Sequence, residues 1–176
     1  MSGRRLTCSY DQSDRDKMDR TEERFAQVVK EHRSTIYTVC YMFSKDVDEV
    51  ADLFQEVLVN VWRGFKGFER RSDVRTWIYR VALNTCISAD RKKRRRAPVS
   101  LSVDVDLFGG GDDDSGQVAL LHDRIMKLRP FDRAIVLLWL ENMSYDEIGA
   151  VVGITAKNVS VRLYRIKEQL KRMSDQ

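Results

Sequence analysis

The sequence predicts an all-α chain: two small helical domains joined by a flexible acidic linker, the C-terminal one a helix-turn-helix. Three observations carry this. Only two prolines and nine glycines occur in 176 residues, and three of those glycines fall in one run, Gly109 to Gly111. Apolar residues recur at three- and four-residue steps through most of the chain, the spacing of one helix face. The segment "MSYDEIGAVVGITAKNVSVRLYRIKEQLKRM" sets a short capped helix, a glycine and a longer basic helix in series.

Residues 1–20 are polar and mixed in charge, and read as a flexible N-terminal arm. A first helix follows, with Phe25, Val28, Ile36, Val39 and Phe43 at helical steps. A second starts at Asp46 and carries Val47, Val50, Phe54, Val57, Val61 and Phe65 on one face. The loop "KGFERRS" leads to a third, whose buried face reads Val74, Ile78, Val81 and Thr85. These helices make a first domain, 21–96. In residues 97–116, "APVSLSVDVDLFGGGDDDSG", Pro98 stops the helix and glycine and aspartate accumulate, which predicts a linker. The helical period resumes at Val118, Leu121, Ile125 and Leu128, is interrupted at Pro130, and continues through "FDRAIVLLWLEN" into the C-terminal domain, 117–176.

In that domain Ser144 and Glu147 have the spacing of a capping box, Gly153 supplies a tight turn, and Thr155 suits the N-cap of the next helix. Val159, Leu163, Ile166, Leu170 and Met173 form its core side. The opposite face holds Lys157, Val161, Tyr164, Arg165 and Glu168, flanked by Asn158, Ser160 and Arg162. Arginine and lysine meet phosphates or guanine edges and asparagine reads adenine, so this face predicts a major-groove reader. A plain solvated face is the bland alternative.

Two further surfaces break the core pattern. On the second helix Asp48, Asp52, Gln55, Val59 and Trp62 share an outward sector, an acidic stripe with apolar anchors that suits a partner helix. The alternative is that Trp62 folds back and packs locally. On the third helix Tyr79, Arg80, Leu83, Asn84 and Ile87 lie opposite the predicted buried face, with Trp77 at its border, just before six basic residues, Arg91 to Arg96. Rings that stack on bases, side chains that bond base edges and cations that hold phosphates together make a single-strand reader. Against it stands the packing of Trp77 and Tyr79 on neighbouring helices. Trp77 is the better placed of the two to pack, and Tyr79 to make contact.

Composition narrows the function. At 43% hydrophobic residues a core can form, and 31 Lys+Arg against 27 Asp+Glu leave a formal charge of +4, so the distribution of charge matters more than its total. No apolar run approaches the ~20 residues of a membrane span, and the N-terminus has no stretch like a signal peptide, which predicts a cytoplasmic protein without membrane insertion. Cys8, Cys40 and Cys86 are widely spaced without a CxxC pair, and His32 and His122 are isolated, so neither a metal nor another cofactor is expected. An enzyme is not expected either. The sequence has no nucleophile–base pair, and "GGGDDDSG" has no preceding strand or following lysine to make a phosphate loop.

The segments "DVDEVADLFQEVLVNVWRGFKGFE", "RTWIYRVALNTCISADRKKRR" and "LRPFDRAIVLLWLENMSYDEIGAVVGITAKNVSVRLYRIKEQLKR" resemble, in order and spacing, a bacterial sigma-70 family factor of the extracytoplasmic-function type. The resemblance runs from about Phe25 to Met173, and no segment corresponds to the middle region of larger sigma factors. It implies that 21–96 is sigma region 2 and 117–176 sigma region 4. The stripe Asp48, Asp52, Gln55, Val59 and Trp62 would bind core RNA polymerase. Phe68, Tyr79, Arg80, Leu83 and Asn84, with Asn60 and Gly64, would hold a flipped base of the melted non-template strand at the minus-ten element. Lys157, Asn158, Ser160, Val161, Tyr164 and Arg165 would bind the duplex minus-thirty-five element, and the linker would run through the RNA channel. An anti-sigma factor is a further implied partner. Similar proteins often open the recognition helix with Gly-Thr-Val-Lys/Arg-Ser-Arg, where this chain has Lys157 to Arg162, "KNVSVR". The rival reading is a stand-alone helix-turn-helix transcriptional regulator, which explains the C-terminus but neither the Trp62 stripe nor the third helix.

Overall fold

A computed structural model describes residues 10–65, 67, 68, 73–96 and 113–174. Among them there are seven helices and no strand: α1 Tyr10–Tyr41, α2 Val47–Phe65, α3 Val74–Arg96, α4 Asp113–Met126, α5 Pro130–Leu140, α6 Tyr145–Val152 and α7 Ala156–Arg172. The all-α expectation holds. Local chemistry sets the helix starts. Asp46 Oδ1 accepts the Glu49 N–H at 2.9 Å and begins α2. Asp73 Oδ2 accepts the N–H groups of Arg75 and Thr76 and begins α3. Pro130 takes the first turn of α5, where its missing N–H costs nothing.

Two boundaries differ from the sequence reading. Helix α1 starts at Tyr10, inside the span read as an arm, and α4 starts at Asp113, inside the span read as linker. Both starts are polar, so no apolar periodicity marks them. Residues 97–112, most of the predicted linker, lie outside the described residues.

Helices α1, α2 and α3 pack on one another around Ile36, Val39, Val57, Val61, Ile78 and Ala82, all buried. Helices α5, α6 and α7 make a second cluster around Ile135, Leu138, Ile148, Val159 and Leu163. The clusters join, because α3 also packs on α5 and α6. At ~100° per residue, Ile78, Ala82 and Thr85 face α1 and α2, while Tyr79, Leu83 and Asp90 fall on an adjoining arc. A helix with two buried arcs shows little amphipathic contrast, which is why a single core face was legible there.

The joint is partly polar. Lys45 and Asp123 form a 2.7 Å ion pair. His122 stacks on Tyr41 with ring centroids 4.3 Å apart, and its Nε2 lies 3.0 Å from the Tyr41 carbonyl. Arg133 is buried; its Nε donates to the Leu128 carbonyl at 3.0 Å, and Nη1 lies 3.9 Å from Asp90.

Candidate nucleic-acid and polymerase interfaces

The α6–turn–α7 segment carries the local caps that its sequence suggests. The Ser144 hydroxyl accepts the Glu147 N–H at 3.3 Å, and the Glu147 carboxylate accepts the Ser144 N–H at 2.8 Å, a reciprocal cap that opens α6. The Ser144 hydroxyl, which also donates to the Glu147 carboxylate at 2.7 Å, and then the Ser144 N–H hold that carboxyl below its ordinary pKa. Gly153 ends α6 at φ 78°, a left-handed conformation that glycine adopts without a Cβ clash. A Cβ at Gly149 would lie 2.5 Å from the Ile154 carbonyl, so the turn closes directly onto α6 at that point. Thr155 Oγ1 then accepts the Asn158 N–H at 3.3 Å and starts α7.

Val159, Leu163 and Ile166 anchor α7 inward. Lys157, Asn158, Ser160, Val161, Tyr164 and Arg165 are all exposed, within a sector of roughly 160°. Tyr164 is 69% exposed and Val161 45%, so the face offers apolar contact as well as charge. Tyr164 and Arg165 line an open groove with Glu168 and Arg172. Arg162 is turned away: it bonds Asp132 at 2.8 Å and lies over the Phe131 ring, fixing α7 to α5.

On α2, Asp48, Asp52, Gln55 and Val59 are exposed along one line, with Val59 47% exposed. Trp62 differs from the outward reading. It is half-buried, and its indole meets the Phe25 ring edge-on at 4.9 Å. Phe25 also packs on Phe65 at 5.7 Å, so an aromatic cluster on α1 draws Trp62 toward itself.

The residues expected at the minus-ten pocket divide into three groups. Asn60, Gly64 and Phe68 take part in local packing. Asn60 Nδ2 donates to Thr85 Oγ1 at 3.0 Å. A Cβ at Gly64 would lie 3.0 Å from the Trp77 ring, and Phe68 packs on that ring at 4.7 Å. Arg80 and Asn84 are exposed. Tyr79 and Leu83, read as outward, are buried, at 1% and 2% exposure. The Tyr79 hydroxyl donates to Glu141 Oε2 at 2.9 Å. Arg75 Nη2 reaches the same oxygen at 3.5 Å, and Arg80 Nη2 donates to the Ala150 carbonyl. Burial first, then the hydrogen bond to Glu141, push the Tyr79 phenol up, so it stays protonated and donates. The second buried arc of α3 explains the correction.

Sequence reasoning missed Glu141 and Arg75. Glu141 reads as a solvated helix end, and only the 62-residue closure onto Tyr79 gives it a role. In the basic run, Lys93 pairs with Glu49 and Arg94 with Asp90, while Arg91, Lys92 and Arg95 are exposed.

Comparison with known proteins follows this geometry. The sigma-70 region 2 model matches residues 28–96, and the sigma-70 region 4 model residues 119–170. The RNA polymerase sigma-H factor of Pseudomonas aeruginosa is 28% identical, with 94% of each chain covered. ECF sigma factor SigW of Bacillus subtilis is 26% identical over 86% of this chain and 89% of its own. ECF sigma factor SigE of Mycolicibacterium smegmatis is 28% identical over 82% of this chain, which spans 59% of that relative's length. Among solved structures, a sigma factor RpoE in complex with the anti-sigma factor NepR from Bartonella quintana has a TM-score of 0.67 at 19% identity, covering 87% of this chain and 98% of the other. CnrH in complex with the cytosolic domain of CnrY gives 0.65 at 21%, covering 88% and 89%.

Proposed function

Because the chain belongs to the sigma-70 family, in its extracytoplasmic-function branch, we propose that it binds core RNA polymerase, recognises promoter DNA and directs transcription initiation. Region 2 corresponds to 21–96 and region 4 to 117–176, with 97–116 between them as a linker. The observation that carries the reading is the pairing of two surfaces on one chain: the acidic α2 stripe with Val59 outward, and the exposed α7 face behind a fully capped turn. A stand-alone repressor or activator needs the second surface and not the first.

In this reading α7 places Lys157, Asn158, Ser160, Val161, Tyr164 and Arg165 in the major groove of the minus-thirty-five element. Asp48, Asp52, Gln55 and Val59, with the exposed edge of Trp62, dock on the polymerase. Tyr79, Arg80, Leu83 and Asn84 take up the melted minus-ten strand, on a platform held by Asn60, Gly64 and Phe68. The role is one of binding and positioning rather than enzymatic turnover. Both solved neighbours carry an anti-sigma factor or a cytosolic partner domain, which supports an anti-sigma factor as a partner of this chain also. No helix among the described residues is long and apolar enough to cross a membrane, which is compatible with a cytoplasmic site of action.

Run-off transcription with core polymerase on a genomic fragment library tests the proposal. Discrete transcripts that depend on the added chain support it. Duplex binding without polymerase binding or transcripts would favour the stand-alone regulator.

A further inference from the structure

Two residues that α3 would offer to an unpaired strand, Tyr79 and Arg80, are engaged within the chain, together with Arg75 one turn before. Arg75, Tyr79 and Arg80 are donors, and all three meet acceptors on the C-terminal helices: the Glu141 carboxylate takes Tyr79 and Arg75, and the Ala150 carbonyl takes Arg80. Acceptor oxygens are what a nucleic-acid strand presents through its phosphates and base edges. The contact carries these polar bonds beside the buried Leu83, whereas Ile36, Val57, Val61 and Ile78 fill the α1–α2–α3 core. Water can replace a hydrogen bond to a carboxylate at a modest net cost, so such a joint can open without unfolding either part.

We infer that Glu141 is an autoinhibitory latch: its carboxylate holds Tyr79 and Arg75 in the places a single strand would occupy, and closes the reading face of α3 beneath the chain's own C-terminal helices. The inference rests on the reading of α3 as a single-strand reader. Three features of the geometry agree. Tyr79, the most deeply covered of the candidate strand-reading residues on α3, carries the ring expected to stack. Arg80 is held by a backbone carbonyl of α6, one turn before the helix-turn-helix closes. Asn84, further round α3, stays exposed. The latch therefore covers one edge of the face and leaves the other open to first encounter. Strand affinity in the free chain is reduced by the fraction of molecules that are open.

The test uses the full chain without polymerase and two variants, Glu141→Ala and Glu141→Gln. Both remove the negative charge, but glutamine keeps an acceptor oxygen for Tyr79. Exposure of Tyr79 is read by chemical nitration with peptide mass mapping. Strand affinity is read by titrating a fluorescent single-stranded DNA pool of random sequence, and circular dichroism with urea unfolding confirms that each variant is folded. Expected is a Tyr79 that becomes reactive in Glu141→Ala, with strand affinity up about fivefold to tenfold, and a Glu141→Gln variant close to the parent in both. A Tyr79 as protected in Glu141→Ala as in the parent would overturn the latch. Equal gains in strand affinity in both variants, with Tyr79 protected in both, would also overturn it, because charge alone would then explain them. Exposure of Tyr79 in Glu141→Ala alone, without a gain in strand binding, would keep the latch and remove the reading of α3 as the strand site.

Discussion

The indole of Trp62 meets the Phe25 ring at a centroid distance of 4.9 Å and an interplanar angle of 69°. That edge-on contact ties the end of the α2 stripe to α1 and separates the stripe into a structural end and an exposed middle. Trp62→Ala should therefore lower stability by ~2 kcal/mol or more through lost burial, whereas Val59→Ala should leave it within about 0.5 kcal/mol. Val59→Ala combined with Asp52→Ala should weaken core polymerase binding about tenfold. Urea unfolding and a fluorescence titration with core polymerase read the two effects. A Val59–Asp52 variant with parental affinity would place the docking surface elsewhere.

The turn and the reading face of the C-terminal unit should also separate. At Gly149 an added Cβ would lie 2.5 Å from the Ile154 carbonyl, backbone that cannot swing aside. Gly149→Ala should thus cost ~1–3 kcal/mol, the scale of overpacking, and lose duplex binding with it. Arg165 is exposed on α7. Arg165→Ala should keep the unfolding midpoint and weaken duplex binding by ~1–3 kcal/mol if it reads a base edge. Thermal unfolding and duplex titration together check this, and a stable Gly149→Ala with normal binding would count against so tight a turn.

These contrasts mark what the sequence discloses. The capping box Ser144/Glu147, the turn at Gly153 and the α7 face are local patterns, set by residues within a few positions of one another, and all are legible. The α1–α2–α3 core is legible for the same reason, since Ile36, Val57 and Ile78 keep helical spacing. Tyr79 is not. Its environment is fixed by Glu141, 62 residues away, and no period in α3 distinguishes a second buried arc from a reading face. Trp62 fails similarly, because the pull of Phe25 comes from another helix. The polar starts of α1 at Tyr10 and α4 at Asp113 carry no apolar signal at all.

His122 should make the joint between the two parts sensitive to acid. Its Nε2 carries the hydrogen, because the Tyr41 carbonyl at 3.0 Å can only accept. Burial lowers its pKa. The Tyr41 bond and Asp123 oppose that shift, and Lys45 and Arg133 add to it. The folded value thus lies below the unfolded ~6.5. A depressed histidine contributes stability fully above the unfolded value and loses it as pH falls toward the folded one. The urea midpoint should fall between pH 7.5 and 5.5, and His122→Phe, which keeps a flat ring over Tyr41, should flatten that dependence. An unchanged slope in His122→Phe would assign the effect to other groups.

Cys40 and Cys86 are both fully buried. The hydrogen bond with Cys40, then burial, push the Cys86 thiol up, and it is the thiolate that reacts. Neither should be alkylated by iodoacetamide in the native chain, and both should be on unfolding. Peptide mass mapping with and without urea gives the answer, and native labelling of Cys86 would show that the joint of α1 and α3 opens readily.

The basic run should act through phosphates in proportion to its exposed members. Lys93 is paired with Glu49 across α2 and α3, and Arg94 with Asp90 on the same helix, so these two are partly spent on the fold. Arg91, Lys92 and Arg95 are exposed. Each phosphate contact releases counterions and steepens the fall of log K with log salt by ~0.9 on duplex and ~0.7 on single strands. Replacing Arg91, Lys92 and Arg95 together by glutamine should therefore lower the salt slope of promoter binding by polymerase carrying this chain by about 2 to 3. Sequence preference should stay the same, since phosphates carry no base identity. Lys93→Gln should act differently: it frees Glu49, whose carboxyl is held below its ordinary range by Lys93 first and Ser44 second. A depressed carboxylate stabilises above its unfolded pKa of ~4.3 and loses that contribution as pH falls through the folded value, so Lys93→Gln should flatten acid unfolding below about pH 4.5. Salt titrations of promoter binding and acid unfolding curves distinguish the two sets. A triple variant with the parental slope would mean that the run does not touch the backbone of promoter DNA.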